Sequence, residues 1–298
     1  MKSLNTILNE GLADWDEGDF EKSIKKETSK TAIKKHIIDW IVSKNINRTI
    51  KSRIKIDTTT EPWTVNYDED ISLYGGDRIT NGMFQWGNVK LFYIDNSSID
   101  TLEDCPKEVE DFYCKYCDNL KDLKGAPKTK ETFRCSNCKN LESLEGCPEK
   151  VCSFDCSNCP NLKSLKYGPK YIQYDYKCSG CKSLIDLEGV PEIINWNFYC
   201  SNCQNLKSLK GGPKEITGNF HCNDCKNLES LKGAPEKIRG NFDCDGCEKL
   251  KSLDGLKWVN CDILCRRTQI TSIPKGLRFD GRILDGNGQI LGVNNKIW

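Results

Sequence analysis

A repeat solenoid is the fold class that this sequence predicts. Three observations lead to it: evenly spaced cysteine pairs, aromatic and leucine residues in fixed phase with them, and a Gly-x-Pro break in most units. Cys-x-x-Cys pairs begin at residues 114, 135, 156, 178, 200, 222 and 244, so successive units are 21 or 22 residues long. A unit of this length buries too little apolar surface to fold alone. The units are therefore expected to stack and to share one continuous core.

The phase of each unit predicts a short strand followed by a turn. The consensus is (Ile/Val)-x-x-x-Phe-x-Cys-x-x-Cys-x-x-Leu-x-x-Leu-x-Gly-x-Pro. Phe220 and Cys222 are spaced by two, so both are expected to point inward from a strand while His221 points outward. Leu228 and Leu231 would fill the core behind the strand, and the Gly-x-Pro would break the chain before the next turn of the solenoid.

These units resemble the leucine-rich repeat, whose pattern is L-x-x-L-x-L-x-x-N/C-x-L. The resemblance places Cys225 at the ladder position, which caps the backbone where the chain leaves the strand. It implies a leucine-rich-repeat-like solenoid with a parallel β-sheet and a mostly irregular convex side.

Four segments are expected along the chain. Residues 1–60 form a small helical N-terminal segment, in which Ile33, Ile37 and Trp40 share one face of a predicted helix. Residues 61–91 form a β cap over the first edge of the sheet, because Gly and Asn-Gly turn signals separate short apolar runs there. Residues 92–276 form the solenoid of about nine turns. Residues 277–298 form a C-terminal cap with a short hairpin.

The cysteine pairs are predicted to be structural core, with no metal and no cofactor. The fourteen residues are Cys114, Cys117, Cys135, Cys138, Cys156, Cys159, Cys178, Cys181, Cys200, Cys203, Cys222, Cys225, Cys244 and Cys247. Cysteine is among the most frequently buried residues, and the phenylalanines and leucines recur in phase with the thiols. A zinc-stabilised protein is an alternative, because two successive pairs have the spacing of a four-cysteine zinc site. Seven pairs do not divide evenly into such sites. Disulfides are a third possibility.

The predicted partner-binding surface is the concave strand face. Its outward residues, one from each unit, are Tyr113, Arg134, Asp155, Lys177, Tyr199, His221 and Asp243. Aromatic residues and charges of alternating sign favour a protein partner, of unknown identity, over a phosphate backbone, which would require a Lys/Arg stripe. Solvated positions without a binding role are the alternative interpretation.

Other function classes find little support in the sequence. The 44 basic and 43 acidic residues nearly cancel, which gives no electrostatic reason to expect nucleic acid or an anionic membrane as a partner. The two histidines, His36 and His221, lie near no motif for nucleophilic catalysis. The chain is therefore expected not to be an enzyme.

Residues 65–280 and the Met1-Lys2-Ser3-Leu4 start are similar to leucine-rich-repeat proteins encoded by large tailed bacteriophages. The likeness rests on the FxCSNCxNLxSLxGxP units and the β cap. The ladder position differs, because that family commonly has Asn where this chain has Cys. The resemblance implies a phage-encoded, non-enzymatic interaction module that recognises a host or virion protein, with host takeover or counter-defence as possible roles. The expected location is the cytoplasm of the host bacterium or the inside of the phage particle.

A short N-terminal motif supports a second hypothesis. Leu8, Asn9, Glu10 and Gly11 are similar to the Leu/Ile-x-Glu cleavage motif of phage prohead proteases. The alternative function is therefore a structural or internal virion protein that its N-terminal segment targets into the capsid, with processing between Glu10 and Gly11.

Overall fold

A parallel β-solenoid is the architecture of the computed structural model, which describes residues 30–44, 54–60, 62–73 and 84–293. In chain order the elements are α1 (Lys30–Lys44), β1 (Ile54–Asp57), β2 (Trp63–Ser72), β3 (Phe84–Tyr93), β4 (Glu108–Val109), β5 (Asp111–Tyr113), β6 (Lys128–Thr129), β7 (Thr132–Arg134), β8 (Lys150–Val151), β9 (Ser153–Asp155), β10 (Tyr171–Ile172), β11 (Tyr176–Lys177), β12 (Ile193–Ile194), β13 (Phe198–Tyr199), β14 (Glu215–Ile216), β15 (Phe220–His221), β16 (Lys237–Ile238), β17 (Phe242–Asp243), β18 (Trp258–Val259), β19 (Ile263–Leu264), β20 (Arg278–Phe279), β21 (Arg282–Leu284) and β22 (Ile290–Val293). Residues 1–29 of the predicted helical N-terminal segment, with the predicted processing site at Glu10 and Gly11, lie outside the described residues.

One long sheet, here called the main sheet, runs the length of the solenoid. Its strand order is β1-β2-β3-β5-β7-β9-β11-β13-β15-β17-β19-β21-β22, with parallel pairing from β2 to β21 and antiparallel pairing at both ends. Each inward aromatic residue pairs with its equivalent one turn later, as Phe198 does with Phe220 and Phe220 with Phe242. The predicted leucine-rich-repeat-like solenoid is confirmed.

The side of each turn that precedes the main sheet also carries strands, which the consensus did not reveal. Two-residue strands pair in parallel as β4–β6, β8–β10 and β12-β14-β16-β18-β20, and we call them the side sheet. Their inward residues are the Ile/Val position of the consensus, such as Ile216 and Ile238, which are fully buried. Each turn, called a coil below, is numbered by its cysteine pair, from coil 1 (Cys114 and Cys117) to coil 7 (Cys244 and Cys247).

The core is a set of columns in which each side chain packs on the same residue type of the next coil. Ring centroids in the Phe column are 5.2 Å apart for Phe112 and Phe133 and 5.4 Å apart for Phe220 and Phe242. The column continues towards the N-terminus through Phe92 and Trp86 to Trp40 of α1. The helix therefore packs on the first end of the core, where it removes apolar side chains from water.

The turn between the two cysteines requires a left-handed backbone residue. The residue before the second cysteine has φ between 57° and 74° in all seven coils: Tyr116, Asn137, Asn158, Gly180, Asn202, Asp224 and Gly246. Asn, Asp and Gly tolerate this conformation best, which explains why they dominate the position.

The thiol of each second cysteine closes this turn by donating a hydrogen bond to the preceding coil. Its Sγ lies 2.8–3.4 Å from a backbone carbonyl oxygen, and the pairs are Cys117 with Ile94, Cys138 with Cys114, Cys159 with Cys135, Cys181 with Cys156, Cys203 with Cys178, Cys225 with Cys200 and Cys247 with Cys222. The carbonyl belongs to the first cysteine one coil earlier, and Ile94 occupies that position before coil 1. The predicted ladder of buried cysteines is confirmed.

A second ladder stabilises the corner between the side sheet and the main sheet. The backbone N–H of Asn219 donates to Asn197 Oδ1 at 2.8 Å, and that of Asn241 donates to Asn219 Oδ1 at 2.7 Å. Asp262 and Arg282 continue the series through their own N–H groups. Sequence analysis did not assign these side chains, although an Asp or Asn precedes the inward aromatic residue in coils 4 to 7.

The two cysteines of coil 4 are expected to respond differently to serine. Cys181→Ser keeps an O–H donor for the Cys156 carbonyl, so the free energy of unfolding should fall by less than about 1 kcal/mol. Cys178 is fully buried, and among the described residues its thiol donates no hydrogen bond. Cys178→Ser should therefore cost about 1–3 kcal/mol. Urea unfolding under reducing conditions measures both values. Alanine variants are the control: the free energy of unfolding should be lower with Ala than with Ser at residue 181, but not at residue 178. An equal loss of stability on Ser substitution at both positions would contradict the ladder.

Tyr176 is expected to be less favourable than phenylalanine. It stands in the Phe column, and its buried hydroxyl has no hydrogen-bond partner among the described residues. A Cβ on Gly168 would lie 3.1 Å from this oxygen, so the glycine leaves room for it. Tyr176→Phe should raise the free energy of unfolding by about 1 kcal/mol or more. The reciprocal variant Phe198→Tyr should lower it, because Val190 occupies the position in the next coil that Gly168 has beside Tyr176. No gain from Tyr176→Phe would contradict this account.

Candidate functional site

The seven predicted surface residues form one row across the main sheet. Strand register places each of them beside its equivalent in the next coil, from Tyr113 beside Arg134 to His221 beside Asp243. All seven are partly exposed, because each alternates with the buried aromatic residue and the buried first cysteine of its coil. We call this set the outward row.

The first half of the outward row is a chain of aromatic and charged contacts. The ring of Tyr113 stacks on Tyr93 with centroids 4.6 Å apart. The guanidinium carbon of Arg134 lies 5.4 Å from the centre of the Tyr113 ring, within the range of a cation–π interaction. Its Nε is 3.2 Å from Asp155 Oδ2. The arginine therefore bridges an aromatic residue on one side and a carboxylate on the other.

The second half repeats this chemistry with different residues. Lys177 Nζ lies 5.2 Å from the centre of the Tyr199 ring and 3.2 Å from Asp175 Oδ2. The rings of Tyr199 and His221 are stacked with centroids 4.8 Å apart and an angle of 4° between their planes. His221 Nδ1 is 3.5 Å from Asp243 Oδ2. Each half of the row is thus held by contacts between neighbouring side chains.

Partial burial raises the pKa of two phenols on this face, Tyr93 beside the outward row and Tyr199 within it. Burial, and then the neighbouring Tyr113 phenol, raise the pKa of Tyr93 to about 12. Burial, together with the Asp175 carboxylate, also raises the pKa of Tyr199. Both hydroxyls are protonated at neutral pH, as ordinary phenols are. The face thus presents aromatic surface, hydrogen-bond donors and charges of both signs.

In each cysteine pair the second thiol donates a hydrogen bond to the preceding coil, and the first thiol is fully buried. Burial raises the pKa of the Cys135, Cys178 and Cys244 thiols well above the usual value, and it raises that of Cys265 to about 12. Zinc binds the thiolate form, which burial disfavours here. All nineteen cysteines are free thiols, and within the described ranges no group of three or more His, Cys, Asp or Glu side chains is placed to hold a metal ion. In the same part of the chain, no helix is long and apolar enough to cross a membrane.

Comparison with known proteins adds no functional assignment. No protein-family model, no curated protein and no solved structure matches this chain. Function must therefore be argued from the residues and their geometry.

Sequence analysis missed a second surface, on the side sheet. Tyr171 and Tyr174 of coil 4, and Ile193 and Trp196 of coil 5, are exposed there. The sequence contained a signal for this surface. Ile193 and Trp196 follow Tyr171 and Tyr174 by 22 residues, at positions where other coils mostly carry charged residues or glycine. The signal was hidden because these positions lie outside the Phe, Cys and Leu columns that define the repeat.

Stability should fall steeply as the pH rises above about 8.5, the usual pKa of an unfolded thiol. The raised pKa of the buried first cysteines, such as Cys135, Cys178 and Cys244, means that the folded state retains protons which the unfolded chain loses. Their stabilising effect is complete below that pH and is lost as the pH rises towards the folded-state pKa. Each such thiol should lower the free energy of unfolding by about 1.4 kcal/mol per pH unit. Urea unfolding between pH 7 and 10 with a reductant measures the slope.

The control for this slope is Cys178→Ser, which should reduce it by the contribution of one thiol. A zinc-thiolate protein would behave in the opposite way, because its ligands are already ionised. Stability that is constant up to pH 10, but is lost on acidification or on addition of a chelator, would contradict the thiol ladder and support the zinc alternative.

Proposed function

We propose that this chain is a non-enzymatic protein-interaction module that binds a protein partner through the outward row. The observation that carries the proposal is the row itself: seven partly exposed side chains from seven successive coils, most of which are held by contacts with neighbouring side chains. Preorganised side chains lose little conformational freedom on binding, which favours affinity. Solenoids commonly bind through such extended strand faces.

The chemistry of the row favours a protein over a nucleic acid. Tyr and Arg, which dominate binding energy at protein interfaces, are present at Tyr113, Arg134 and Tyr199. The arginine and Lys177 are each paired with a carboxylate. A phosphate backbone would instead require unpaired positive charges along the row.

The resemblance to phage leucine-rich-repeat proteins supports a biological setting for this proposal. The partner would be a protein of the host bacterium or of the virion, and the role would be host takeover or counter-defence, in the host cytoplasm or in the particle. Packaging with cleavage after Glu10 stays a prediction, since it depends on residues outside the described ranges.

Alanine substitution of the row should abolish partner binding without unfolding the chain. Tyr113→Ala, Arg134→Ala and Tyr199→Ala remove the side chains of interface type, and each hot-spot residue lost should weaken binding by roughly thirtyfold. The measurement is affinity capture from infected and uninfected bacterial cells, with quantitative mass spectrometry of the captured proteins. Glu229→Ala, at an exposed position between two core leucines, is the matched control. Equal capture by the wild type and the triple variant would exclude the outward row as the binding surface.

A further inference from the structure

Exposed apolar side chains are concentrated in one part of the solenoid. Six of the nine large hydrophobic residues that are exposed in the described structure lie between residues 167 and 196: Tyr167, Tyr171, Tyr174, Ile185, Ile193 and Trp196. Single exposed apolar residues are ordinary on a protein surface, but a local cluster commonly marks an interaction site.

Four of these residues form a two-by-two array on the side sheet. Tyr171 and Ile193 are the outward residues of β10 and β12, and Tyr174 and Trp196 are the corner residues that follow them. All four are 46–62% exposed. Elsewhere the outward position holds charged residues in most coils, and the corner position is glycine at Gly218 and Gly240. We call Tyr171, Tyr174, Ile193 and Trp196 the aromatic array.

A groove of about 910 Å³ runs along this array and is rich in lysine. Its lining includes Tyr171 and Ile193, the three lysines Lys130, Lys150 and Lys170, and a single carboxylate, that of Glu192. Lys150 Nζ lies 5.1 Å from the centre of the Tyr171 ring, and among the described residues it forms no ion pair with a carboxylate. The groove therefore combines apolar surface with an excess of positive charge.

The other two lysines can exchange their partners at little cost. Lys170 pairs with Glu149 and Lys130 with Glu108, but more than half of each of these side chains is exposed to solvent. Ion pairs in such positions contribute little to stability. An acidic segment that entered the groove could thus pair with Lys130, Lys150 and Lys170 while its apolar side chains covered the array.

The chain itself contains a segment of matching composition. Residues 12–21, LADWDEGDFE, carry five carboxylates and no lysine or arginine, and they include the aromatic residues Trp15 and Phe20. The segment precedes α1, whose Trp40 packs on Phe84 and Trp86 of β3. Eight residues lie between Glu21 and Lys30, and the nine steps of chain from one to the other span about 30 Å in extended form. Four strand spacings, the distance along the stack from β3 to β11, amount to about 19 Å.

We propose that residues 12–21 bind in the groove beside the aromatic array. Trp15 and Phe20 contact Tyr171, Tyr174, Ile193 and Trp196, and the carboxylates pair with the groove lysines. The outward row on the main sheet remains free, so the inference is independent of the proposed function and can fail without affecting it.

Zero-length cross-linking of the full chain tests the proposal. A water-soluble carbodiimide joins a lysine amine and a carboxylate only when the two are in direct contact. We expect amide links between Lys130, Lys150 or Lys170 and the carboxylates of residues 12–21, detected by mass spectrometry of the proteolysed monomer. The double variant Tyr171→Ala with Trp196→Ala should reduce these links by roughly fivefold or more, because it removes the apolar contacts while retaining every charge.

Matched controls separate the groove from general charge attraction. Lys237 lies in β16 of the side sheet and Lys257 directly precedes β18, and links from them to residues 12–21 should be rare. A mixture of isotopically labelled and unlabelled chains distinguishes binding within one chain from binding to a second copy. Any one of three results would overturn the proposal: links no more frequent at the groove lysines than at these controls, links that survive the double variant unchanged, or links that form only between labelled and unlabelled chains.

Discussion

Parallel pairing of each coil with its equivalent, in unshifted register, is the constraint on which the rest of this structure depends. In such a stack every side chain meets the same position of the coils before and after it, as Phe220 meets Phe198 and Phe242. A residue type is therefore acceptable only if it packs well on its own kind. This requirement produces the columns of Phe, Cys and Leu, and it explains why the sequence repeats so closely.

Register alone does not satisfy the backbone at the turns, where the chain leaves the sheet and its carbonyl groups lack strand partners. A buried carbonyl without a donor costs free energy, so each turn needs a polar hydrogen from a small side chain. The second cysteine supplies it, as Cys181 does for the Cys156 carbonyl. At the opposite corner the side-chain oxygens of Asn197 and Asn219 accept backbone N–H groups. The two ladders perform complementary tasks, one donating and the other accepting hydrogen bonds.

The same stacking rule shapes the surface. Outward side chains also lie beside their equivalents, so opposite charges and rings in neighbouring coils pair with each other, as Arg134 does with Asp155 and Tyr199 with His221. Contacts between neighbouring side chains therefore restrain the outward row. The aromatic array differs from the outward row, because its side chains, such as Tyr171 and Trp196, remain largely exposed. One chain thus presents two surfaces of different character, a self-paired row and an apolar groove with positive charge.

Periodicity in the sequence by itself determined the solenoid and the inward direction of Phe220 and Cys222, because both depend only on which residues recur and in what phase. The resemblance to the leucine-rich repeat placed Cys225 at the ladder position. The tertiary structure alone decided features that depend on the space between coils. It showed that the Ile/Val position forms a second set of strands, that the hydroxyl of Tyr176 is buried without a partner, and that Tyr171 and Ile193 line one groove. A repeat pattern records what the coils share, whereas a groove arises where particular coils depart from that pattern. The residues of the adjacent coils then set the depth and the lining of the groove.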